Sequence, residues 1–197
     1  YYRPWNSGKV DNKSLTQVMP ADLRMVTGNA KATSAKDVNR KNITWSCGNF
    51  SSKAQRLGHM YPSPIEADCS TATGRVFLTV AARFPSCWDG KLNDHKTAGN
   101  TADYSGSVPA PVVQHLAYPV KGNCPAGFSI KLPELTVNTS WDYRGNGKDI
   151  KLSSGNIYSY HTDFWNAWDP DFFRKMVNTC INTSVTRVDE PSLHVNH

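Results

Sequence analysis

The chain of 197 residues carries 22 Lys and Arg against 16 Asp and Glu, a formal charge of +6. The length suits one domain with elaborated loops, and the longest apolar stretch, around VFLTVAA, falls far short of the ~18 residues of a membrane-crossing helix. The basic excess sits in residues 1–60, with ten Lys or Arg against three acids. It is scattered singly rather than run together with aromatics, which argues against a nucleic-acid partner and reads as a solvated basic face or a contact with an anionic surface such as a cell wall.

The opening YYRPWNSGK lacks the apolar h-region of a signal peptide, as in a mature protein or a piece cut from something longer. ADLRMVTG alternates around Leu23 and Met25, and NITWSC is short and β-prone, so both are expected as strands. GRVFLTVAARF places Val76, Leu78, Val80 and Ala82 on one face, while Phe77 and Ala81 make the other apolar too. That is the pattern of a central strand covered on both sides. The stretch 97–114, TAGNTADYSGSVPAPVVQ, is rich in Gly, Ser, Ala and Pro and predicts a surface-loop insertion. FSIKLPELTVNTSWDY reads as two strand pieces separated at Pro133, which has no N–H to give a ladder. The RGNGK turn after it predicts a hairpin of 135–143 with 149–152.

In WDPDFFRKMVNTCIN, Asp169 is a natural N-cap, Pro170 fits the first helical position and Asp171 suits the positive helix start. Phe172, Phe173, Met176, Val177, Cys180 and Ile181 form one apolar stripe of a helix over about 170–181, which Asn182 can end. The elements together predict a mainly β fold: a single antiparallel β-sandwich-like domain over 1–197, with long loops and one C-terminal helix packed on it.

Cys47, Cys69, Cys87, Cys124 and Cys180 form no C-x-x-C pair, so zinc-ribbon and thioredoxin readings lack their spacing. SCGN, DCST, SCWDG and NCPAG place cysteines beside turn-forming residues, which suits disulfides in an oxidising, extracellular compartment. Proximity in sequence pairs Cys47 with Cys69 and Cys87 with Cys124. Cys180 is left unpaired, either a thiol on the buried stripe or half of a bridge to something outside this chain. Sequons at Asn12, Asn42, Asn49, Asn138 and Asn182 point to the same compartment and to glycosylation where the host supplies it.

Three polar–aromatic clusters carry candidate chemistry. SCWDGKLNDH holds Asp89, Asp94 and His95; QHLAYP holds His115 and Tyr118; YSYHTDFWNAWD holds His161, Asp163, Asn166 and Asp169 among five aromatics. In an extended YSYHTD, His161 and Asp163 share a face because side chains alternate. Such a pair can share a proton, ligate a metal or hold a substrate hydroxyl. The plainer reading is a turn cap at Asp163 and a satisfied histidine at 161. Asp169 is already explained as a helix cap. His95, His115 and His161 would make a three-histidine site for a divalent metal, although no two of them have a compact ligand spacing. A glycosidase needs two carboxylates on one cleft, for which Asp94, Asp163 and Glu134 are available. A Ser-His-Asp hydrolase lacks its G-x-S-x-G, and there is no P-loop or Rossmann fingerprint. Tyr158, Tyr160, Trp165 and Trp168 would offer sugar-stacking platforms where exposed; Trp88, beside a disulfide, is expected in the core.

The motifs SCWDGK, DH, HLAYP, NCPAGFSIKLPEL and LSSGNIYSYHTDFWNAWD, in that order and preceded by LRMVTGNA and WSC, resemble a secreted family of domains of unknown function. The family occurs in fungi and actinobacteria, sometimes joined to sugar-binding modules. The resemblance covers most of 20–182 and implies that Asp94, His95, His115, His161 and Asp163 belong to a polar core. The chain departs from the family in two places. Family members keep DH and H-x-AYP nearly adjacent, whereas about 19 residues separate them here. Their upstream His-x-His segment, with further cysteines, has no counterpart in this chain; if it completes a site, the site here is incomplete and Cys180 lacks its partner.

The functional expectation is an extracellular carbohydrate-interacting domain whose partner is a polysaccharide or cell-wall surface. Its cleft would draw reactive polar groups from His161, Asp163 and Asp94, and binding groups from His95, His115, Tyr118, Tyr160, Trp165 and Asn166. The alternatives are a glycoside hydrolase or metal-dependent enzyme on the same cleft, and a self-associating structural subunit of an extracellular assembly.

Overall fold

The computed structural model describes residues 2–3, 16–39, 41–48, 61, 63–72, 74–91, 93–94, 96–97, 112–113 and 115–182. In chain order its strands are β1 (Tyr2–Arg3), β2 (Arg24–Gly28), β3 (Ile43–Gly48), β4 (Phe77–Arg83), β5 (Cys87–Trp88), β6 (Lys96–Thr97), β7 (Val112–Val113), β8 (Leu116–Ala117), β9 (Ile130–Lys131), β10 (Glu134–Asp142) and β11 (His161–Trp165). A single-turn helix, α1 (Pro64–Ala67), precedes β4, and α2 (Pro170–Met176) follows β11.

The architecture is mainly β and sandwich-like, with antiparallel sheets that do not close and one C-terminal helix, as the sequence predicts. The largest sheet runs β1-β10-β4-β3, beside a three-stranded sheet β8-β5-β9 and the two-stranded ladder β11-β2. β4 lies inside its sheet because both its faces accept cover: Leu78, Val80 and Ala82 are buried, and Phe77, Thr79 and Ala81 are half-covered. Two cores result. One lies on the inner face of the large sheet, where Trp45, Leu78 and Val80 meet Ala67 and Cys69 from the α1 region. The other gathers Leu23, Met25, Phe84 and Leu132 against Phe173 and Val177.

Both expected disulfides form. Cys47–Cys69 and Cys87–Cys124 each span 5.5 Å between Cα atoms, closing separations of 22 and 37 residues. Loops of that size correspond to about 3–4 kcal/mol of stabilisation on the chain-entropy view. Cys180 is a free thiol. The 97–114 stretch is bracketed at its root by β6 and β7, with Lys96 opposite Val113 and Thr97 opposite Val112; its interior lies outside the described residues. Among the sequons, Asn138 is exposed on β10 and Asn42 is buried, while Asn182 spends its amide on both backbone groups of Thr16. Asn12 and Asn49 lie outside the described residues. No helix of the described residues is long and apolar enough to cross a membrane.

Two expectations are corrected. The hairpin of 135–143 with 149–152 does not form: β10 pairs with β4 on one side and β1 on the other, and 149–152 is turn and isolated bridge. The cause lies in RGNGK. Gly147 sits at φ +77°, so close to α1 that a Cβ would come 2.5 Å from the Pro64 carbonyl carbon. The Tyr143 hydroxyl accepts from the Gly147 N–H at 2.9 Å and donates to Asp149 at 2.5 Å. These bonds curl the chain onto α1 before a return strand can start.

The C-terminal helix spans 170–181 as expected, but only Pro170–Met176 is α and Cys180 falls outside the buried stripe. After Met176, Val177–Ile181 form one π turn. Thr179 Oγ1 donates to the Lys175 carbonyl at 2.7 Å, and the Asn182 N–H closes on Val177, five residues back, at 2.8 Å. A side-chain hydroxyl competing for a ladder carbonyl loosens a helix in this way. Phe173, Val177 and Ile181 stay in the core, whereas Cys180 is half-buried beside Thr179 rather than in the buried stripe. Asp169 caps the start as expected, accepting from the Asp171 and Phe172 N–H groups.

Candidate functional site

The β2–β11 ladder sets His161 opposite Gly28, Asp163 opposite Val26 and Trp165 opposite Arg24. Alternation sends Met25, Thr27 and Phe164 inward and leaves Arg24, His161, Asp163 and Trp165 on the outer face. At 3.3 Å per residue this outer strip runs for about 13 Å from His161 to Trp165. Trp165 is 58% exposed. The Arg24 guanidinium covers its ring at 4.7 Å from the centroid, and its indole N–H donates to Asp22 Oδ1 at 3.2 Å. Arg24 in turn donates to Asp94 Oδ2 at 3.2 Å. An exposed cation–π contact contributes about 0.5–1 kcal/mol and a solvated ion pair no more. These contacts therefore orient the indole more than they stabilise the fold.

The segment carrying Asp94 is stitched to β2. The Arg24 N–H donates to the Asn93 carbonyl at 2.8 Å, and Asn93 Nδ2 donates to the Ala21 carbonyl at 2.9 Å. At the other end of the strip, His161 Nδ1 lies 3.1 Å from the Ser159 carbonyl. A carbonyl only accepts, so Nδ1 carries the proton and Nε2 of the neutral ring is an acceptor. The strip thus combines one apolar plane, a guanidinium, carboxylates and an imidazole, a set with one stacking surface and several hydrogen-bonding groups.

Other candidates belong to the frame beneath. His115 is fully buried, and its Nε2 donates to the Arg24 carbonyl at 2.8 Å, so it helps fix the backbone that presents Arg24. Tyr118 Oη and Thr27 Oγ1 lie 2.9 Å apart, and both reach the Arg83 carbonyl, at 3.0 and 2.9 Å. Burial pushes the Tyr118 phenol up to about 12, with the Thr27 bond and Arg83 charge opposing. Asn166 is buried and donates to the Met19 and Pro20 carbonyls. Tyr160 sets its ring edge-on to Trp45 at 5.6 Å, away from the strip. Trp168 stacks on Phe172 and Phe173 and donates to the Tyr2 hydroxyl, while Trp88 packs half-buried on the second core.

The structure therefore brings together Asp94, His161, Asp163 and Trp165 of the sequence-predicted set. His95 lies outside the described residues, so the three-histidine arrangement cannot be assembled from them; among them no group of three or more His, Cys, Asp or Glu is placed to hold a metal ion. Glu134 sits on β10, in the four-stranded sheet and not on the β2–β11 ladder.

Sequence reasoning missed Arg24, whose signal was its parity: it alternates with Leu23 and Met25 and so faces out. It also missed the pairing of Trp45 with Trp141. Trp141 shares the parity of Leu135 and Val137, which turns it toward the inner face.

A family model described as a domain of unknown function (DUF1996) matches residues 1–168, which include the whole strip. No curated protein and no solved structure matches the chain.

Proposed function

The chain belongs to the DUF1996 family of domains of unknown function, and from the geometry of its outer strip we propose that it is a secreted carbohydrate-interacting domain that docks on a cell-wall or matrix polysaccharide. The observation that carries this reading is Trp165. A large apolar ring is kept in solvent, fixed by Arg24 over its face and Asp22 at its edge, with Asp163 and His161 in line on the same strand face. An indole held out by polar side chains offers a fixed flat surface on which a sugar ring would stack. The strip lies along a strand face, which favours an extended polymer over an enclosed small molecule. Asp94 is paired with Arg24, which suits orientation of the binding face rather than proton transfer. The two disulfides fit an oxidising compartment.

Pull-down on insoluble glucans and chitin tests the proposal. Trp165→Ala and His161→Ala are expected to lose retention, by roughly tenfold or more for Trp165→Ala, equivalent to about 1.4 kcal/mol, with little change in melting temperature. Unchanged retention of Trp165→Ala overturns it.

A further inference from the structure

We propose that the cleft between β10 and the 143–152 loop is a second binding site, shaped for a single neutral pyranose ring. It rests on different side chains from the outer strip, so either reading can fail alone. The cleft has a volume of about 430 Å³ and is lined by Trp45, Trp141, Tyr143, Asp149 and Lys151 among others. That is near the lower end of small-molecule pockets, matched to a compact ligand rather than to a polymer lying flat.

Its aromatic wall comes from register. Trp141 faces Leu78 and Trp45 faces Val80 across β4, so the two indoles meet diagonally on the inner face. They stack with centroids 6.0 Å apart and planes 18° from parallel. Trp45 is 1% exposed, whereas Trp141 is 42% exposed, so the outer indole is available to the apolar C–H face of a sugar. The Trp45 indole N–H is buried and has no acceptor among the described residues. A buried donor left unmatched is costly, so an acceptor brought to it by a ligand would be favoured.

The polar rim selects for a neutral ligand. Asp142 is held by Arg75 at 2.8 Å, and Asp149 already accepts the Tyr143 hydroxyl. With Asp142 neutralised by Arg75, the charges left on the lining, Asp149 and Lys151, are opposite in sign, so the cleft has no net demand for an ion. Lys151 and the second oxygen of Asp149 remain to donate to and accept from hydroxyls. A pyranose supplies both halves of this match, an apolar ring face and a rim of hydroxyls. The loop is also pre-shaped, since the Tyr143, Gly147 and Asp149 bonds fix it without a ligand.

The test follows the indole N–H signals of the isotope-labelled protein during titration with glucose, N-acetylglucosamine, cellobiose and laminaribiose at millimolar concentration. Saturable shifts of the Trp45 and Trp141 signals are expected with at least one of these sugars, together with ring-to-ring contacts between the sugar and Trp141 in the unmodified chain. Trp141→Ala should abolish the Trp45 shift and Trp165→Ala should preserve it. The proposal is overturned if neither signal moves with any of the sugars, if no sugar–Trp141 contact is seen, or if the Trp45 shift survives in Trp141→Ala. Loss of polysaccharide retention in Trp165→Ala with the sugar shifts intact separates the two sites.

Discussion

The outer strip and the inner cleft use the same kinds of side chain under different cover. Trp165 stands in solvent and is placed by Arg24 and Asp22; Trp45 is sealed beneath Trp141 and touched edge-on by Tyr160. The two regions meet at one peptide step. Tyr160 turns its ring to Trp45, and His161, the next residue, opens the strip. On a strand of period two, adjacent residues serve opposite faces, so YSYHTD feeds a core and a surface at once. An aromatic there is a wall or a platform according to its parity.

This contrast sets the sizes of the expected effects. Trp45→Ala removes a fully buried indole and should cost about 3–5 kcal/mol in denaturant unfolding, against about 1 kcal/mol or less for Trp165→Ala. Equal losses would erase the distinction. Gly28 is the next most sensitive point, because it lies opposite His161 at the junction. Its φ is +89° and a Cβ would fall 2.2 Å from the Tyr160 carbonyl oxygen. Gly28→Ala should therefore cost about 3 kcal/mol, read as a lowered melting temperature, and should disturb the strip and the cleft together.

Tyr118 sharpens the comparison from below, since it supports β2 without reaching the strip. Its phenol is raised from the ordinary 10.0 to about 12, so the unfolded chain releases that proton first. The associated stability, about 2–3 kcal/mol at most, is fully present below pH 10 and is lost as pH rises toward 12. Tyr118→Phe should flatten that part of the stability–pH curve while leaving polysaccharide retention at neutral pH unchanged. The smallest effect is expected at Asp94→Asn. Loss of a solvated pair with Arg24 should change stability by under about 1 kcal/mol, and high salt should largely mimic the substitution.

The longer strands β2, β3, β4 and β10, the helix cap and both disulfides were legible in the sequence because each rests on local signals: alternation in LRMVTG and FLTVAAR, the Asp169-Pro170 start, and neighbouring cysteines in turn contexts. The fate of 149–152 was not, because Gly147 responds to α1, which is distant in sequence. The π turn escaped because it depends on which carbonyl the Thr179 hydroxyl takes. For the site, strand parity correctly placed His161 and Asp163 on one face. His115 and Tyr118 carry the same polar chemistry in sequence, but tertiary packing commits them to the Arg24 and Arg83 carbonyls. Arg24, which orders the strip, looked like one more scattered basic residue until Trp165 was set opposite it.

Whether Trp165 is the docking surface is decided by depletion of the protein on insoluble glucan or chitin, compared between the unmodified chain, Trp165→Ala and Trp141→Ala. The unmodified chain and Trp141→Ala are expected to pellet with the polysaccharide while Trp165→Ala stays in solution. Equal depletion of Trp165→Ala and the unmodified chain would contradict that expectation.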